Sequence, residues 1–160
     1  AIGGRIYGCD ECLTACPPGK QALASLERAG DGLRPEVVLS LSDGELEVLV
    51  EHWYIPSRRM RFVRRNALVA LGNTGSESSL ALLERYLCDP DALLRCHAAW
   101  AVGRIAGSRA AEMCRAAYDT ERDEEVRGEL RAAIAASRRG GVYADDAQEE
   151  RRPDSEENAR

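Results

Sequence analysis

From Ser57 to about Ala136 the apolar residues recur every three or four positions, which is the spacing of amphipathic α-helices. In the first such stretch the apolar stripe consists of Met60, Val63, Ala67 and Leu71. Alanine and leucine dominate, while aromatic residues make up only 5% of the chain, and this mix favours close-packed helices over sheets. The pattern therefore predicts an all-α protein.

The helical pattern also repeats. The stretch RRNALVALG, which begins at Arg64, returns 31 residues later as RCHAAWAVG and, more weakly, a further 32 residues on as RGELRAAIA. A second helical stretch lies in each interval, so that every unit is a pair of helices. Such a period is typical of α-solenoids, in which each unit buries its apolar side against the next. The units resemble short HEAT-like repeats of the form vRxxAAxALGxxG, and we predict a HEAT-like domain over residues 34–139.

Local signals predict where helices begin. Ser42 and Glu45 form the pattern of a capping box, in which the two side chains satisfy free backbone amides at a helix start. The helix that follows is predicted to run to about Trp53. Its inward residues are predicted to be Leu46, Leu49 and Val50. Asp89 followed by Pro90 suits a cap followed by the first helical residue.

Three cysteines near the start carry the clearest chemistry. Cys9, Cys12 and Cys16 have the spacing C-x2-C-x3-C, and Pro17 follows the last. The bacterial ferredoxin run C-x2-C-x2-C-x3-C-P ends in the same way, and its final cysteine serves the other cluster of a pair. We interpret Cys9 and Cys12 as ligands of one iron–sulfur cluster and Cys16 as a ligand of a second. Two four-iron clusters need about eight thiolates, so further ligands are expected elsewhere.

Other uses of these thiols stay open at this point. A structural zinc site needs four N or S ligands, and His52 and His97 lie far from the pair and share no ligand spacing with it. A thioredoxin-type dithiol needs a βαβ setting, which the helical pattern does not provide. The thiols can also be inert. The other three cysteines lie singly in helical patterns and are predicted to be small buried apolar residues, namely Cys88, Cys96 and Cys114.

A cluster of arginines precedes and opens the first repeat. Its members, with no acidic residue between them, are Arg58, Arg59, Arg61, Arg64 and Arg65. If this stretch is helical, Arg58, Arg61 and Arg65 share the face opposite to the apolar stripe. Planar guanidinium groups on one face form a phosphate site, although a solvated basic face paired with nearby glutamates explains the pattern equally well. Arg95 and Arg127 repeat the position of Arg64 and are expected to serve structure.

Charge is unevenly distributed along the chain. The net charge is −5, and −4 of it falls on residues 144–160, which hold seven acidic residues and three arginines. Such a composition cannot bury a core, so residues 140–160 are predicted to be a disordered acidic tail. The remainder is nearly neutral, and a local basic surface can therefore still attract a polyanion.

No apolar run approaches the roughly 18 residues that cross a bilayer, and no signal peptide opens the chain. We therefore expect a cytoplasmic protein without a membrane partner, with reduced thiols. The first residue is Ala1 rather than Met, and the opening reads as mid-chain sequence. This predicts that the chain is the C-terminal part of a longer protein.

Two blocks of the chain together resemble a known family. Residues 2–12 read IGGRIYGCDEC and are followed by Cys16 and Pro17, while residues 65–73 read RNALVALGN. In this order and at these intervals, over about residues 1–107, the chain resembles the C-terminal half of epoxyqueuosine reductases. Pro18-Gly19, where the family commonly has Trp-Asn, marks a divergent member.

The resemblance implies an oxidoreductase of queuosine biosynthesis, which reduces epoxyqueuosine to queuosine in the anticodon loop of tRNA. It implies a cobalamin and two [4Fe–4S] clusters, with residues 1–33 as the C-terminal part of a two-cluster ferredoxin-like domain. On this basis Cys9 and Cys12 serve one cluster and Cys16 serves the other. Gly8, which precedes Cys9, is a candidate contact of the cobalamin.

The family's helical repeats help to hold tRNA. This favours four arginines as contacts to tRNA phosphates, namely Arg58, Arg61, Arg64 and Arg65. The family's cobalamin domain and catalytic acid precede this region, so no catalytic residue is predicted here and the chain alone is expected to be inactive. The implied partners are that N-terminal domain, tRNA and an electron donor such as flavodoxin or ferredoxin.

Two other functions fit the same residues. The chain can be an iron–sulfur electron-transfer protein that docks its repeats on another protein and has no tRNA substrate. It can also be a scaffold with vestigial cysteines. Iron content and RNA binding distinguish these possibilities.

Overall fold

The computed structural model describes residues 3–8, 12, 15–25, 33–105 and 107–138. The described part is helical, as predicted, and contains no β-strand. Its α-helices are α1 (Pro17–Ser25), α2 (Pro35–Ser40), α3 (Asp43–Leu49), α4 (Met60–Thr74), α5 (Leu80–Leu87), α6 (Ala92–Ile105), α7 (Ser108–Thr120) and α8 (Glu124–Arg138). Short 3₁₀ helices at Pro56–Arg58 and Glu77–Ser79 precede α4 and α5. The predicted tail, residues 140–160, lies outside the described residues.

The helices form two layers. Helices α2, α4, α6 and α8 pack side by side in one layer, while α5 and α7 lie against them in the other. The predicted stripe of Met60, Val63, Ala67 and Leu71 is buried, and the core continues through α6 into Val126 and Leu130 of α8. Each repeat thus covers the apolar side of the next, which confirms the stacked helix pairs predicted from the period.

Two glycines set the spacing between neighbouring repeats. A Cβ atom at Gly72 would lie 2.6 Å from Cζ3 of Trp100 and 2.9 Å from Cα of Ala101. A Cβ atom at Gly103 would lie 2.8 Å and 2.9 Å from Cβ and Cα of Ala133. Both glycines occupy the same place in the repeated sequence, so the motif ends in glycine because the next helix passes directly over it.

One arginine in each unit holds the end of the preceding helical segment. Arg64, Arg95 and Arg127 occupy equivalent positions, and each donates hydrogen bonds to backbone carbonyls near that end. The acceptors are Val38 and Leu41 for Arg64, Asp89 and Pro90 for Arg95, and Tyr118 and Glu121 for Arg127. Carbonyls at and just beyond the end of a helix lack an intrahelical donor, which explains why a guanidinium recurs at this position. The structural role expected for Arg95 and Arg127 is confirmed.

Some predicted helix ends are wrong. The capping box of Ser42 and Glu45 is present, but α3 ends at Leu49 rather than near Trp53. Leu46 and Val50 are buried as predicted, but Leu49, the last residue of α3, is 46% exposed, so its predicted inward position is wrong. Helix α6 begins at Ala92, beyond Pro90, and the side chain of Asp91 rather than Asp89 accepts the backbone N–H of Leu93 at its start.

The pair formed by Arg95 and Glu121 predicts a pH effect on stability. The Glu121 carboxylate accepts from Arg95 Nε at 2.6 Å and from Nη2 at 3.1 Å, and its side chain is 8% exposed. The hydrogen bond from Arg95 is the main cause that lowers the pKa of Glu121 to about 2. The unfolded chain, whose glutamate pKa is 4.5, therefore takes up this proton first as the pH falls.

We therefore expect the stabilisation from this pair to be complete above pH 4.5 and to be lost progressively towards pH 2. In Arg95→Ala the free energy of unfolding should depend less steeply on pH in this window. Denaturant titrations at several pH values measure it, with Arg85→Ala, an exposed arginine, as the control. Equal pH slopes for the wild type and Arg95→Ala would refute the assignment.

Among the described residues no helix is both long and apolar enough to cross a membrane.

Candidate functional site

The segment that leads into the cysteines is fixed to helix α4. Asn66 Nδ2 donates to the carbonyl of Ile6 at 2.9 Å, and Asn73 Nδ2 donates to the carbonyl of Gly3 at 2.9 Å. Ile6 itself is buried in the core. Residues 3–8, which precede the cysteines, are therefore joined to the block RNALVALGN by the two asparagines of that block.

Tyr7 fixes the end of this segment next to the cysteines. Its ring stacks on Trp53, with 4.4 Å between ring centroids and 10° between planes. Its hydroxyl accepts the backbone N–H of Tyr54 at 2.9 Å and donates to the Tyr54 carbonyl at 3.4 Å. The loop between α3 and α4 thus holds the chain one residue before Gly8.

These contacts predict that Asn66 controls access to the segment. In Asn66→Ala the carbonyl of Ile6 loses its donor, and we expect trypsin to cleave after the exposed Arg5 several-fold faster. Mass spectrometry of a limited digest measures the rate at this bond, with Ser78→Ala, an exposed position, as the control. If the two variants are cleaved after Arg5 at the same rate, Asn66 does not hold the segment.

The described cysteines of the motif suit a soft metal centre. Cys12 and Cys16 are exposed free thiols, and Cys16 N–H donates to the Cys12 carbonyl at 3.2 Å, as in one helical turn. Cys9 lies outside the described residues. Within the residues that the structure describes, no three histidine, cysteine or acidic side chains come together as a metal site. Thiolates are the ligands that iron–sulfur clusters require, so the donors fit in kind, and a complete site needs others.

The remaining cysteines differ in environment. Cys114 is buried and Cys96 half-buried, and burial raises their pKa values to about 12 and about 11. Both thiols stay protonated and serve as apolar core groups, as predicted. The prediction is wrong for Cys88, which is exposed because it lies at the end of α5, where the chain leaves the core.

Gly8 lies at the edge of a cavity of about 450 Å³ between the N-terminal segment and the helices α4 and α6. The cavity is lined by Arg5, Ile6, Tyr7, Gly8, Arg65, Asn66, Val69 and His97. The φ angle of Gly8 is +74°, and a Cβ atom there would meet nothing within 4 Å, so glycine is needed for its backbone conformation rather than for space. Gly8, the position predicted to contact the cofactor, thus faces an open cavity that is lined by two arginines.

Arg58 lies before helix α4 rather than on it. The φ angles of Ser57 and Arg58 are +52° and +47°, and its guanidinium donates to two carbonyls of residues 47 and 51 at 3.3 Å and 3.4 Å. The prediction that Arg58 shares a helical face with Arg61 and Arg65 is wrong, because the helix begins only at Met60. Arg58 is exposed.

Arg61 and Arg65 do lie on α4. Arg61 Nη2 is 2.7 Å from Asp91 Oδ1, which joins the first repeat to the start of the second. Arg65 donates from Nε and Nη2 to Asn66 Oδ1 at 3.1 Å and 2.7 Å, and its guanidinium carbon lies 5.6 Å from the centre of the Phe62 ring. Arg65 is therefore held in one orientation beside the cavity, with other N–H donors still available to a ligand.

Arg64, in contrast to Arg65, has no N–H donor left for a ligand. Its side chain is 12% exposed, and its hydrogen bonds use all five N–H donors. The acceptors are Asp43, Tyr86 and the carbonyls of Val38 and Leu41. A direct phosphate contact from Arg64 stays a prediction, and it would require one of these bonds to break.

Arg59 was not among the residues predicted to bind phosphate. It is exposed at the start of α4, and in the described part of the chain its side chain has no hydrogen bond or ion pair. The absence of acidic residues from the run of arginines is the sequence signal that could have indicated Arg59. His97, which the sequence analysis considered only as a possible zinc ligand, lines the cavity beside Arg65.

Comparisons with known proteins agree with this geometry. The family described as HEAT repeats matches residues 61–135. Epoxyqueuosine reductase of Bacillus subtilis (strain 168) is 33% identical over 151 residues, covering 88% of this chain and 38% of the relative. The enzyme of the same name from Xanthomonas campestris is 40% identical over 110 residues, covering 64% of this chain and 31% of the relative.

A crystal structure of epoxyqueuosine reductase with an epoxyqueuosine-modified tRNA-Tyr stem loop has a TM-score of 0.71 to this chain at 29% identity. The alignment covers 86% of this chain and 38% of that one. The chain thus spans well under half the length of these relatives. Over the part that the alignments cover, it belongs by sequence and by fold to the epoxyqueuosine reductase family.

Proposed function

We propose that this chain is the C-terminal cysteine-and-repeat portion of an epoxyqueuosine reductase, which holds a tRNA stem-loop beside the metal centre. The observation that carries the proposal is the junction of Asn66 with Ile6 and of Tyr7 with Trp53. Through it residues 3–8, which lead into the cysteines, are fixed to helix α4 and to the loop before it. In this proposal a substrate bound by the arginines would lie next to the cysteines.

The cysteine motif is proposed to supply part of two [4Fe–4S] clusters. Cys9 and Cys12 would hold one cluster and Cys16 the other, with the remaining thiolates provided by the ferredoxin-like region of which residues 1–33 are the C-terminal part. Bound there, the clusters supply single electrons for the reduction. Exposure of Cys12 and Cys16 supports this role, because ligands shared with another segment must face outwards. Gly8 is proposed to contact the cobalamin, which the family's preceding domain would mainly bind.

The helical repeats, residues 34–139, are proposed to hold the RNA. Arg59 and Arg65 are the strongest candidates for phosphate contacts, since the structure leaves N–H donors of both available. Arg58 and Arg61 are exposed or half-exposed and can contribute, although Asp91 neutralises part of the charge of Arg61. We propose that Arg64 does not contact the RNA but holds helix α4 in position, through its hydrogen bonds to Tyr86 and to the Leu41 carbonyl at the end of α2.

The proposed partners and cellular location also follow from membership of this family. The partners we propose are the tRNA anticodon stem-loop, the cobalamin domain and an electron donor such as flavodoxin or ferredoxin. A cytoplasmic location is proposed because tRNA is modified there. In this proposal the chain contributes no catalytic acid. It supplies thiolate ligands and positions the substrate.

The RNA arm of the proposal is tested by binding of a tRNA anticodon stem-loop at several salt concentrations. We expect Arg59→Ala with Arg65→Ala to weaken binding at least tenfold at low salt and to reduce the slope of log K against log salt by about 1–2, because phosphate contacts are lost. The matched control is Arg109→Ala with Arg115→Ala, two exposed arginines of α7 in the other layer.

Equal salt slopes in the two double variants would show that the basic start of α4 does not contact phosphates. If the wild type itself binds no stem-loop at low salt, the alternative remains, in which the chain is an iron–sulfur electron-transfer module that docks on a protein.

A further inference from the structure

Arg58 connects the end of α3 to the start of α4. Its guanidinium donates from Nη2 to the carbonyl of Glu47 at 3.3 Å and from Nη1 to the carbonyl of Glu51 at 3.4 Å. Both hydrogen bonds are exposed to water, and both are longer than is usual for an N–H donor and a carbonyl. The guanidinium is therefore held weakly, and a stronger acceptor can replace the two carbonyls.

The turn that places Arg58 beside these carbonyls has an uncommon backbone conformation. The φ angles of Ser57 and Arg58 are +52° and +47°. Residues other than glycine seldom adopt such angles, and they keep them only where the surrounding contacts fix the chain. Here the contacts are the two bonds of the guanidinium and the bond from the Arg58 N–H to the Ile55 carbonyl at 2.9 Å. Loss of the guanidinium bonds therefore favours relaxation of the turn.

The loop between α3 and this turn also anchors the segment that leads into the cysteines. The backbone N–H of Tyr54 donates to the Tyr7 hydroxyl at 2.9 Å, and the ring of Trp53 stacks on that of Tyr7. Tyr7 precedes Cys9 by only two residues. A continuous series of contacts thus runs from Arg58 through the loop to the N-terminal segment.

An RNA phosphate at the start of α4 would compete for Arg58. Charged oxygens are stronger acceptors for a guanidinium than neutral carbonyls. Arg58 is exposed and directly precedes Arg59, one of the arginines proposed to contact the RNA. Leu46 and the following Val50 hold α3 in the core, while the other residues of α3 are exposed. Arg58 can therefore leave the two carbonyls without any change in the core.

We propose that Arg58 couples RNA binding to the segment that precedes the cysteines. When an RNA phosphate binds at the start of α4, Arg58 exchanges the two carbonyls for the phosphate, the turn at Ser57 relaxes and the loop that anchors Tyr7 opens more often. The inference rests on the proposed function and adds a conformational response to it. The RNA shifts this equilibrium because it binds the state in which Arg58 is released more tightly.

Hydrogen exchange of the Tyr54 amide, followed by NMR, measures this response, because that N–H is bonded to Tyr7. In the wild type we expect the amide to exchange several-fold faster when a tRNA anticodon stem-loop is bound. In Arg58→Ala it should exchange at the faster rate without RNA, and RNA should add no further change. The matched control is Arg115→Ala, an exposed arginine of α7, which should behave as the wild type does in both states. Thermal unfolding verifies that both variants fold.

Unchanged or slower exchange of the Tyr54 amide in the RNA-bound wild type would overturn the coupling and leave RNA binding by the arginines intact. Exchange in free Arg58→Ala at the rate of the free wild type would also overturn it, because the guanidinium would then not hold the loop. Absence of stem-loop binding in the wild type at low salt would overturn both this inference and the proposed contact with RNA.

Discussion

Cys12→Ser is expected to abolish epoxyqueuosine reduction in a chimeric enzyme in which this chain replaces the matching segment of the Bacillus subtilis relative. A serine hydroxyl does not replace a thiolate ligand of iron, so the cluster that we propose Cys9 and Cys12 to hold should be lost together with electron supply. Iron content and turnover are measured in the same preparation. We expect turnover to fall at least a hundredfold and iron to fall by about half, as one of two clusters is lost.

The matched control for this substitution is Cys88→Ser. Cys88 is also an exposed free thiol, but it lies at the end of α5 and outside the motif. Its replacement should leave iron and turnover unchanged in the chimera. Full iron content in the Cys12→Ser chimera would remove Cys12 from the ligand set, whatever the activity.

Gly103→Ala is expected to destabilise the repeat domain strongly, although it adds only one methyl group. The new Cβ would lie 2.9 Å from Cα of Ala133, so that the backbone of α8 has to move. Overpacking of this kind costs about 1–3 kcal/mol, and a contact with backbone places the cost at the upper end. The melting temperature should fall by roughly 5–15 °C.

Gly128→Ala is the matched control, because Gly128 also lies within a helix but the atom nearest to its added Cβ, a guanidinium nitrogen of Arg131, is 4.0 Å away. Alanine should stabilise α8 by about 0.5–1 kcal/mol at this position. Thermal unfolding followed by circular dichroism distinguishes the two. If Gly103→Ala is as stable as the wild type, the helices are not in contact at this glycine.

The repeat architecture could be predicted from sequence because its determinants are local and recur. The stripe of α4, the arginine at a fixed position and the terminal glycine are each visible within one unit. Their structural consequences follow from helix geometry, since a residue type that recurs at one position of a repeat meets the same neighbour each time. The predicted burial of Met60 and Ala67 and the role of Arg95 needed no further information.

The junction at the cysteines could not be predicted in this way. Asn66 and Ile6 are 60 residues apart, and neither has a periodic partner that would indicate the contact. The sequence blocks showed that both regions matter to one family, but not that they touch. The same holds for Arg61, whose ion pair with Asp91 depends on the stacking of two repeats.

The predicted start of α4 was wrong because of the backbone conformation just before the helix. The arginine spacing allowed a helix from Ser57 onwards, but Ser57 and Arg58 both adopt positive φ angles. The Arg58 guanidinium binds carbonyls near the end of α3, which the turn makes possible. Spacing alone predicts faces only within a helix, so Arg58 was assigned to a face that it does not share.

The most direct test of the account is the affinity of the whole chain for an epoxyqueuosine-containing anticodon stem-loop, compared with a fully paired RNA duplex of equal length. The account predicts saturable, salt-dependent binding of the stem-loop, at least several-fold tighter than that of the duplex, because the arginines at the start of α4 would hold the phosphates of a stem-loop rather than those of a continuous duplex. Equal affinity for the two RNAs, or no binding of either at low salt, would contradict it.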